Sequence, residues 1–456
     1  MALTAIQRDL ADVLLRSARQ FPAVTLTGPR QSGKSTLCRS LFPEKPYANL
    51  EAPDIRSFAT DDPRAFLAQF PQGAILDEVQ RTPDLPAYLQ GLIDDDPSPG
   101  RWILTGSHNL ALTQSVNQSL AGRSAVLHLL PLARSEVVRF ARHPRGLDEA
   151  LVAGGYPGIF DRDHDPADWL RSYVALYLER DVRTISNVGD LATFQRFVEL
   201  CAGRTAQLLN HSSLASDCGI SQPTAKAWLS VLEASFIAFR LPAFHSNRRK
   251  RLVKMPKLHF HDPGLACWLL GIRSAEQLRS HPLRGPIFET WVVSEVLKHR
   301  TNRGLTGGLS FYRDKDGVEA DLVVEEEGKL LAIKAKAAAT AAGSFFEAAA
   351  RVRGLLAADG RPVGSLIVYG GDDPQVRTET TLLPWNRLHE RWAVRASAWA
   401  QSDRNDDAMP RRASVPNFLY SRLCPTPRSA CNPSPVPIVS AASTSPAGSP
   451  CSASCS

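Results

Sequence analysis

The sequence predicts an α/β protein with a parallel sheet in its N-terminal part and a second, smaller α/β domain near its C-terminus. Two observations support this fold class. Short apolar segments alternate with helical patterns over residues 1–145, which is typical of a parallel sheet covered by helices on both faces. From residue 284 onward the pattern is a helix, three strands, a helix and one more strand.

The first domain begins with an amphipathic helix over residues 4–20, and its predicted strands are short and apolar. These strands cover residues 23–27, 47–51, 74–79, 101–107 and 125–130. In open parallel sheets, ligands bind beyond the carboxyl ends of the strands. We therefore expect the site at that edge.

A glycine-bounded loop follows the first strand and leads into a helix. Its spacing, Gly28-x4-Gly33-Lys34-Ser35, fits the phosphate-binding loop, in which main-chain N–H groups and the helix N-terminus hold phosphate oxygens. Lys34 is expected to reach the β and γ phosphates, and the Ser35 hydroxyl to bind Mg²⁺. An ordinary glycine-rich turn is the alternative. The predicted nucleotide-binding residues are Gly28, Pro29, Arg30, Gln31, Ser32, Gly33, Lys34, Ser35 and Thr36.

Two adjacent acids end the strand at 74–79. Asp77 is expected to complete the Mg²⁺ shell with Ser35, and Glu78 to polarise the attacking water. Adjacent acids at a strand end are also common at protein surfaces. Their position after a phosphate loop favours the functional interpretation.

Three further polar residues follow the later strands. Ser107 and Asn109 are placed to sense the γ-phosphate or orient the water, or else to cap a turn. Arg123 is a candidate for stabilising transition-state charge, a role that can contribute roughly 10³–10⁵ in rate. A surface arginine paired with a carboxylate is the alternative for Arg123.

Composition narrows the class of protein. Of the 456 residues, 43% are hydrophobic and 22% charged, as in a soluble globular protein, and no apolar run is long enough to span a bilayer. The N-terminus lacks the layout of a secretory signal, so we expect a cytoplasmic protein. The net charge of +7 weakly favours a polyanionic partner. The eight cysteines form no CxxC pair, so buried thiols are expected and neither a zinc site nor disulfides.

Five short motifs accompany the phosphate loop: Leu76-Asp77-Glu78-Val79-Gln80, Ile103-Leu104-Thr105-Gly106-Ser107, Gly122-Arg123, Leu130-Pro131-Leu132 and Gly154-Gly155-Tyr156-Pro157. With these motifs the chain, over roughly residues 5–390, resembles a family of prokaryotic AAA-type P-loop ATPases that carry a C-terminal domain of unknown function. The resemblance implies an ATPase core with strand order 5-1-4-3-2, Mg-ATP as the ligand, and a poorly defined cellular role.

A helix-turn-helix is predicted over residues 212–229, with a turn at Gly219 and a helix cap at Ser221. Flanking strands at 236–241 and 257–260 complete a winged helix, a shape that the resemblance also supports. Such a module binds DNA or only packs against the core or a partner. The candidate DNA contacts are Gln222, Thr224, Lys226, Arg248, Arg249, Lys250 and Arg251.

The region from residue 284 resembles the restriction-endonuclease-like fold of PD-(D/E)xK nucleases. Asp321 and Lys334 stand at the expected positions of its Mg²⁺ site, and Glu289 is a candidate upstream acid. Ala332 replaces the carboxylate of the Glu-x-Lys pair. The loss of that metal ligand predicts an inactive domain, in which Asp321 and Lys334 form an ion pair.

The predicted domains are an ATPase core (1–145), a helical linker region (146–203), a winged helix (204–283), a nuclease-like domain (284–392) and a disordered tail rich in Pro and Ser (393–456). We expect an Mg-ATP-hydrolysing motor or switch that relays its nucleotide state to the later domains. The alternatives are a nucleotide-gated DNA-binding or adaptor protein with little turnover, and an ATP-powered nuclease, against which Ala332 argues. The expected partners are ATP and either DNA, another protein or a second copy, with no membrane.

Overall fold

A parallel β-sheet of five strands forms the N-terminal part of the computed structural model. The structure describes residues 6–107, 119–178, 191–244, 255–357, 360–377 and 380–392, all within one compact unit. The strands are β1 (Ala23–Thr27), β2 (Tyr47–Asn49), β3 (Ile75–Asp77), β4 (Trp102–Gly106) and β5 (Ser124–His128). Their spatial order, β2-β3-β4-β1-β5, confirms the order predicted from the resemblance.

Helices cover both faces of this sheet. They are α1 (Ala11–Gln20), α2 (Lys34–Leu41), α3 (Pro53–Asp61), α4 (Pro63–Ala68) and α5 (Leu85–Asp95). Alternate residues of the central strands enter separate apolar cores: Val24 and Ile103 pack with α1 and α2, whereas Ala23 and Trp102 pack with α3–α5. Burial on both faces explains why β1 and β4 have continuous apolar sequences.

A series of helices follows the sheet and leads to a small antiparallel sheet. The helices are α6 (Arg134–Val137), α7 (Leu147–Ala153), α8 (Pro157–Asp161), α9 (Pro166–Tyr173), α10 (Leu191–Gly203), α11 (His211–Cys218) and α12 (Gln222–Ala234). Helix α9 is regular to Tyr173, where a π-helical turn (Val174–Leu178) continues it. Residues 179–190 lie outside the described ranges. The strands are β6 (Gln207–Leu208), β7 (Ala238–Leu241) and β8 (Lys257–Phe260), in the order β6-β8-β7.

The predicted turn between two helices lies between α11 and α12. Gly219 ends α11 with a φ of 74°, a left-handed conformation that favours glycine. The Ser221 hydroxyl then caps α12 by accepting a hydrogen bond from the Thr224 N–H at 3.2 Å. Leu214 of α11 and Leu229 of α12 are buried in a common core, so the two helices pack together.

The C-terminal part is built on a mixed sheet of six strands, in the order β13-β14-β12-β11-β10-β9. The strands are β9 (Leu309–Arg313), β10 (Glu319–Glu326), β11 (Lys329–Lys336), β12 (Val363–Tyr369), β13 (Gln375–Arg377) and β14 (Thr380–Pro384). The helices are α13 (Pro263–Leu269), α14 (Ala275–Ser280), α15 (Arg284–Asn302) and α16 (Gly343–Ala357). Helix α15 packs on one face of the sheet and α16 on the other. Strands β13 and β14 were not expected from the sequence.

The cysteines that the structure describes, Cys38, Cys201, Cys218 and Cys267, are buried free thiols, as predicted. Over the described ranges, no helix has both the length and the apolar character that a membrane span requires.

Candidate functional site

The phosphate loop connects β1 to α2 in the predicted conformation. Gly28 passes so close to a neighbouring strand end that a Cβ there would lie 2.2 Å from the Leu129 carbonyl oxygen. Gly33 precedes the first residue of α2 with a φ of +91°, which favours glycine. Gln31 is also left-handed, with a φ of 58°. The loop therefore folds tightly around the N-terminus of α2, where free main-chain N–H groups attract anions.

Lys34 lies inside this loop. Its Nζ donates hydrogen bonds to the carbonyl oxygens of Gly28 (3.0 Å) and Pro29 (2.8 Å), and the residue is 5% exposed. Burial lowers the pKa of Lys34 to about 8, and the charges of Glu78 and Asp77 partly oppose this effect. A bound phosphate would favour the charged ammonium.

Arg8 is hydrogen-bonded to the backbone of the loop, a role that was not expected from the sequence. Its guanidinium donates to the Ser32 carbonyl oxygen at 2.6 Å and to the buried Glu136 carboxylate at 2.8 Å. Ser32 is fully buried, and its Oγ has no hydrogen-bond partner among the described residues. An unpartnered hydroxyl in a buried anion-binding loop fits a site built for a polar ligand.

Ser35 and Asp77, the predicted metal ligands, lie close together. The Tyr47 hydroxyl donates to Asp77 Oδ2 at 2.5 Å and lies close to the Ser35 side chain. Asp77 is 4% exposed, and its other oxygen accepts from the Thr105 hydroxyl and from the Glu78 N–H. The carboxylate and the hydroxyl, both close to the same phenol oxygen, are oxygen ligands that suit Mg²⁺. The donor set therefore fits the predicted metal.

Glu78 follows β3 in a left-handed conformation with a φ of 58°. Its Oε2 accepts hydrogen bonds from Ser107 Oγ at 3.0 Å and from the Gln80 side chain. Gln80 Nε2 also lies 3.2 Å from Ser107 Oγ. The structure thus brings Ser107 to Glu78, as expected of a polar residue after β4, and adds Gln80, which the sequence did not single out. Asn109 lies outside the described residues.

A cavity of about 430 Å³ opens over the loop. One wall is the loop with Glu78, and the other is the segment from α8 to α9, which sequence reasoning did not connect with the site. The lining residues are Gln31, Gly33, Lys34, Ser35, Thr36, Glu78, Pro157, Gly158, Asp161, Arg162, His164 and Trp169. Arg30 lies near enough to Lys34 to lower the pKa of that ammonium. The Gly154-Gly155-Tyr156-Pro157 motif leads directly into this second wall.

Arg123 lies at the opposite edge of the sheet from the phosphate loop. Its carbonyl oxygen accepts from the N–H of Ala23, the first residue of β1, whereas the loop follows the last residue of that strand. The guanidinium forms two hydrogen bonds with Asp94, at 2.5 Å and 2.9 Å. Because about 16 Å of strand separates the two ends, the Arg123 of this chain does not contact its own loop. The surface ion pair is the arrangement observed.

The predicted DNA contacts divide into described and undescribed residues. Gln222 and Lys226 are exposed on α12, whereas the hydroxyl of Thr224 lies 2.7 Å from Ser221 Oγ at the helix cap. Residues 248–251, with Arg248, Arg249, Lys250 and Arg251, lie outside the described ranges.

The nuclease-like residues form an acidic cluster that is neutralised by lysines. The carboxylates of Glu289, Glu319 and Asp321 lie within 4.8 Å of one another. Lys257 Nζ donates to Glu289 at 2.6 Å and also to Glu319. Lys334 Nζ donates to Asp321 at 2.5 Å, the predicted ion pair. Glu319 and Lys257 were not identified from the sequence.

The electrostatics of this cluster disfavour a further negative charge. Burial and the charge of Asp321 raise the pKa of Glu289. Ala332, at the position of the missing carboxylate, is buried beside Glu319 and Lys334. The cluster is thus held together by ammonium groups without a metal ligand at position 332.

Comparisons with known proteins divide the chain into three matched regions. Residues 20–138 match a family described as AAA domain. Residues 144–276 and 284–388 match families described as Domain of unknown function (DUF8612) and Domain of unknown function (DUF4143).

Two mycobacterial relatives match most of the chain. They are "Uncharacterized protein Rv2008c" of Mycobacterium tuberculosis and "Uncharacterized protein Mb2031c" of Mycobacterium bovis. Each is 30% identical over 337 residues, which make up 73% of this chain and 74% of the relative.

Among solved structures, the Walker-type ATPase paby2304 of Pyrococcus abyssi is 16% identical, with 57% of this chain and 94% of that chain covered and a TM-score of 0.40. AMPPCP-bound DnaA from Aquifex aeolicus is 12% identical, with 49% and 85% covered and a TM-score of 0.26.

Proposed function

This chain belongs to the family of proteins that join an AAA-type P-loop ATPase domain to a C-terminal domain of unknown function (DUF4143), and from that premise we propose that it binds Mg-ATP and hydrolyses it. The observation that carries the proposal is the convergence of Lys34, Ser35 and Glu78 on one cavity at the carboxyl ends of the strands. Phosphate binding, metal binding and activation of water each have a residue of suitable chemistry there.

The phosphates are held by the loop N–H groups and Lys34. Ser35 and Asp77 would hold Mg²⁺, which neutralises charge on the β and γ phosphate oxygens when bound. When the nucleotide binds, Lys34 gives up its hydrogen bonds to the loop carbonyls and donates to phosphate oxygens instead. Its ammonium is therefore hydrogen-bonded both without and with the nucleotide.

Glu78 is the general base for the attacking water. A carboxylate in this role must be oriented within hydrogen-bond reach of the water, and Ser107 and Gln80 hold its Oε2. The side chain is thus oriented before the nucleotide binds.

The second wall of the cavity couples the nucleotide site to the later domains. Arg162 and Trp169 lie on the segment that runs into the helical region and then to α11 and α12, so a nucleotide in the cavity contacts both parts of the chain. We take the three-stranded sheet with α11 and α12 to be a winged helix and the C-terminal sheet to be a nuclease-like domain without nuclease activity. Nucleotide state is relayed to both through this wall.

A pair of variants tests the hydrolysis. Lys34→Ala should weaken ATP binding at least about tenfold, because a buried charge-assisted contact is lost. Glu78→Gln should retain binding and lower turnover by about 10²–10⁴, because the amide cannot accept the proton. Binding is measured by calorimetry with a non-hydrolysable analogue, and turnover by phosphate release.

The matched controls are Lys45→Ala and Glu51→Gln. In the wild-type protein the Lys45 ammonium donates to the Arg101 carbonyl outside the cavity, and the Glu51 carboxylate pairs with Arg81. Both should keep wild-type binding and turnover. Unchanged turnover in Lys34→Ala and Glu78→Gln would refute the proposed ATPase.

A second candidate is a nucleotide-gated DNA-binding protein with little turnover. The observation that favours it is that Gln222 and Lys226 are both exposed on α12. Phosphate release measured with and without duplex DNA distinguishes the two functions. Tight ATP binding with negligible turnover, together with DNA affinity that falls steeply with salt, would favour this alternative.

A further inference from the structure

The Tyr47 hydroxyl lies between the two residues that are proposed to bind the metal. Tyr47 is the first residue of β2, and its ring extends along the sheet toward the end of β3. The hydroxyl donates to Asp77 Oδ2 at 2.5 Å and lies close to the Ser35 side chain.

The hydroxyl occupies one of the two carboxylate oxygens of Asp77, Oδ2. Asp77 Oδ1 is already engaged by the Thr105 hydroxyl and the Glu78 N–H, so Oδ2 is the oxygen that remains for a cation. The phenol O–H and a metal ion therefore compete for the lone pairs of Oδ2.

The ring itself is free to leave this position. Tyr47 is 37% exposed, and its only described ring contact with a cation is the Arg39 guanidinium, 5.0 Å from the ring centroid. An exposed ring covered by a flexible surface arginine can rotate outward without opening the apolar core.

We propose that Tyr47 is a positioning residue that holds Ser35 and Asp77 together in the nucleotide-free protein and is displaced when the metal–nucleotide complex binds. The inference rests on the proposed Mg-ATP site. In the absence of a metal, the Tyr47 hydroxyl takes the place of the cation between the Asp77 carboxylate and the Ser35 hydroxyl. Metal binding is less favourable because this hydroxyl must first be displaced. Nucleotide binding without a metal leaves Tyr47 in place.

The test is calorimetric titration of wild type and Tyr47→Phe with AMPPNP, once with Mg²⁺ and once with EDTA. Phenylalanine keeps the ring and its contact with Arg39, so the variant retains the fold. In EDTA the two proteins should bind the analogue equally, within about twofold. With Mg²⁺ the variant should bind about three- to tenfold more tightly, because one charge-assisted hydrogen bond no longer competes.

Tyr88→Phe is the matched control, because Tyr88 is 39% exposed with an arginine (Arg64) 6.0 Å from its ring centroid, but lies on α5. It should behave as wild type in both titrations. If Mg²⁺ strengthens wild-type binding and Tyr47→Phe shows an equal or smaller effect, the inference is overturned and the proposed ATP site stands. If Mg²⁺ has no effect on wild type, both the metal site and this inference are refuted.

Discussion

Arg8 is the residue whose importance is least evident from its position in the chain. It lies before α1, yet it donates to the Ser32 carbonyl and pairs with Glu136, which is fully buried. Arg8→Ala would leave the Glu136 carboxylate buried without its counter-charge. We expect the free energy of unfolding to fall by about 3–5 kcal/mol and ATP binding to weaken. Urea unfolding and nucleotide titration measure the two effects.

Arg139→Ala is the control for Arg8→Ala. Arg139 also pairs with a carboxylate near the N-terminus, that of Asp9, but its side chain is 37% exposed. The loss should be below about 1 kcal/mol, with unchanged ATP binding. Equal losses in the two variants would show that Arg8 contributes no more than a surface ion pair.

At the scale of single residues, the sequence predicts the site where its pattern is local. Glycine and lysine spacing in the loop and the acids that end β3 are contiguous motifs, and the structure brings Lys34, Asp77 and Ser107 to one edge. Arg8 and Tyr47 have no such signature. Their partners are 128 and 30 residues away, so only the folded sheet shows the contacts.

At the scale of elements, apolar runs predicted the buried strands well but did not predict the last two strands of the C-terminal sheet. β1 and β4 are buried along their whole length, so their sequences are apolar throughout. β13 is an edge strand in which Val376 is 80% exposed, and its partner β14 alternates buried and half-buried residues. Strands without a continuous apolar run give no periodic signal of sufficient length.

The acidic cluster between β8, α15 and β10 gives a prediction at this scale. Two lysines already pair with the three carboxylates, so Ala332→Glu alone should create no metal site. The ammonium of Lys257 must also be removed. We expect Mn²⁺ binding in calorimetry only for the double variant Ala332→Glu with Lys257→Met, because that change adds a ligand and frees two carboxylates.

A double variant of Ala332→Glu with Lys315→Met is the matched control, because Lys315 is exposed on the turn between β9 and β10. It should bind no Mn²⁺. The prediction would be contradicted if the wild-type protein bound Mn²⁺ and the Glu319→Gln variant did not. That result would mean that a cation displaces Lys257 without any substitution.

At the scale of the whole molecule, one short segment joins the phosphate loop to the C-terminal sheet. The Leu132 N–H donates to the Gly155 carbonyl oxygen at 2.7 Å, and the Leu132 carbonyl oxygen accepts from Lys298 of α15 at 3.0 Å. Glu295, also on α15, accepts from the Arg134 N–H at 2.7 Å. The motifs Leu130-Pro131-Leu132 and Gly154-Gly155-Tyr156-Pro157 thus meet at this junction. Both motifs are evident in the sequence, but their contact with each other and the contacts with α15, which lies more than a hundred residues further on, are evident only in the folded chain.

Two buried histidines make the stability of the whole molecule dependent on pH. His259 stacks on Phe239 and hydrogen-bonds Thr290, and His261 lies beside the same ring. Burial, with nearby Lys257 and Lys298 respectively, lowers the pKa of each histidine to about 3. Both are therefore neutral in the folded protein across the physiological range.

The sign of the effect follows from the lowered pKa. Between about pH 6.5 and pH 3 the unfolded chain binds a proton at each histidine that the folded chain does not, so stability is full above pH 6.5 and is lost as the pH falls. Each histidine contributes a slope of about 1.4 kcal/mol per pH unit. His259→Phe keeps the volume and leaves Thr290 hydrogen-bonded to Thr205, so it should remove one such slope. Urea unfolding at pH 7.5, 6.5 and 5.5 measures this slope, and His164→Phe is the control because His164 is exposed. An identical pH dependence in wild type and His259→Phe would show that His259 is already protonated in the folded protein.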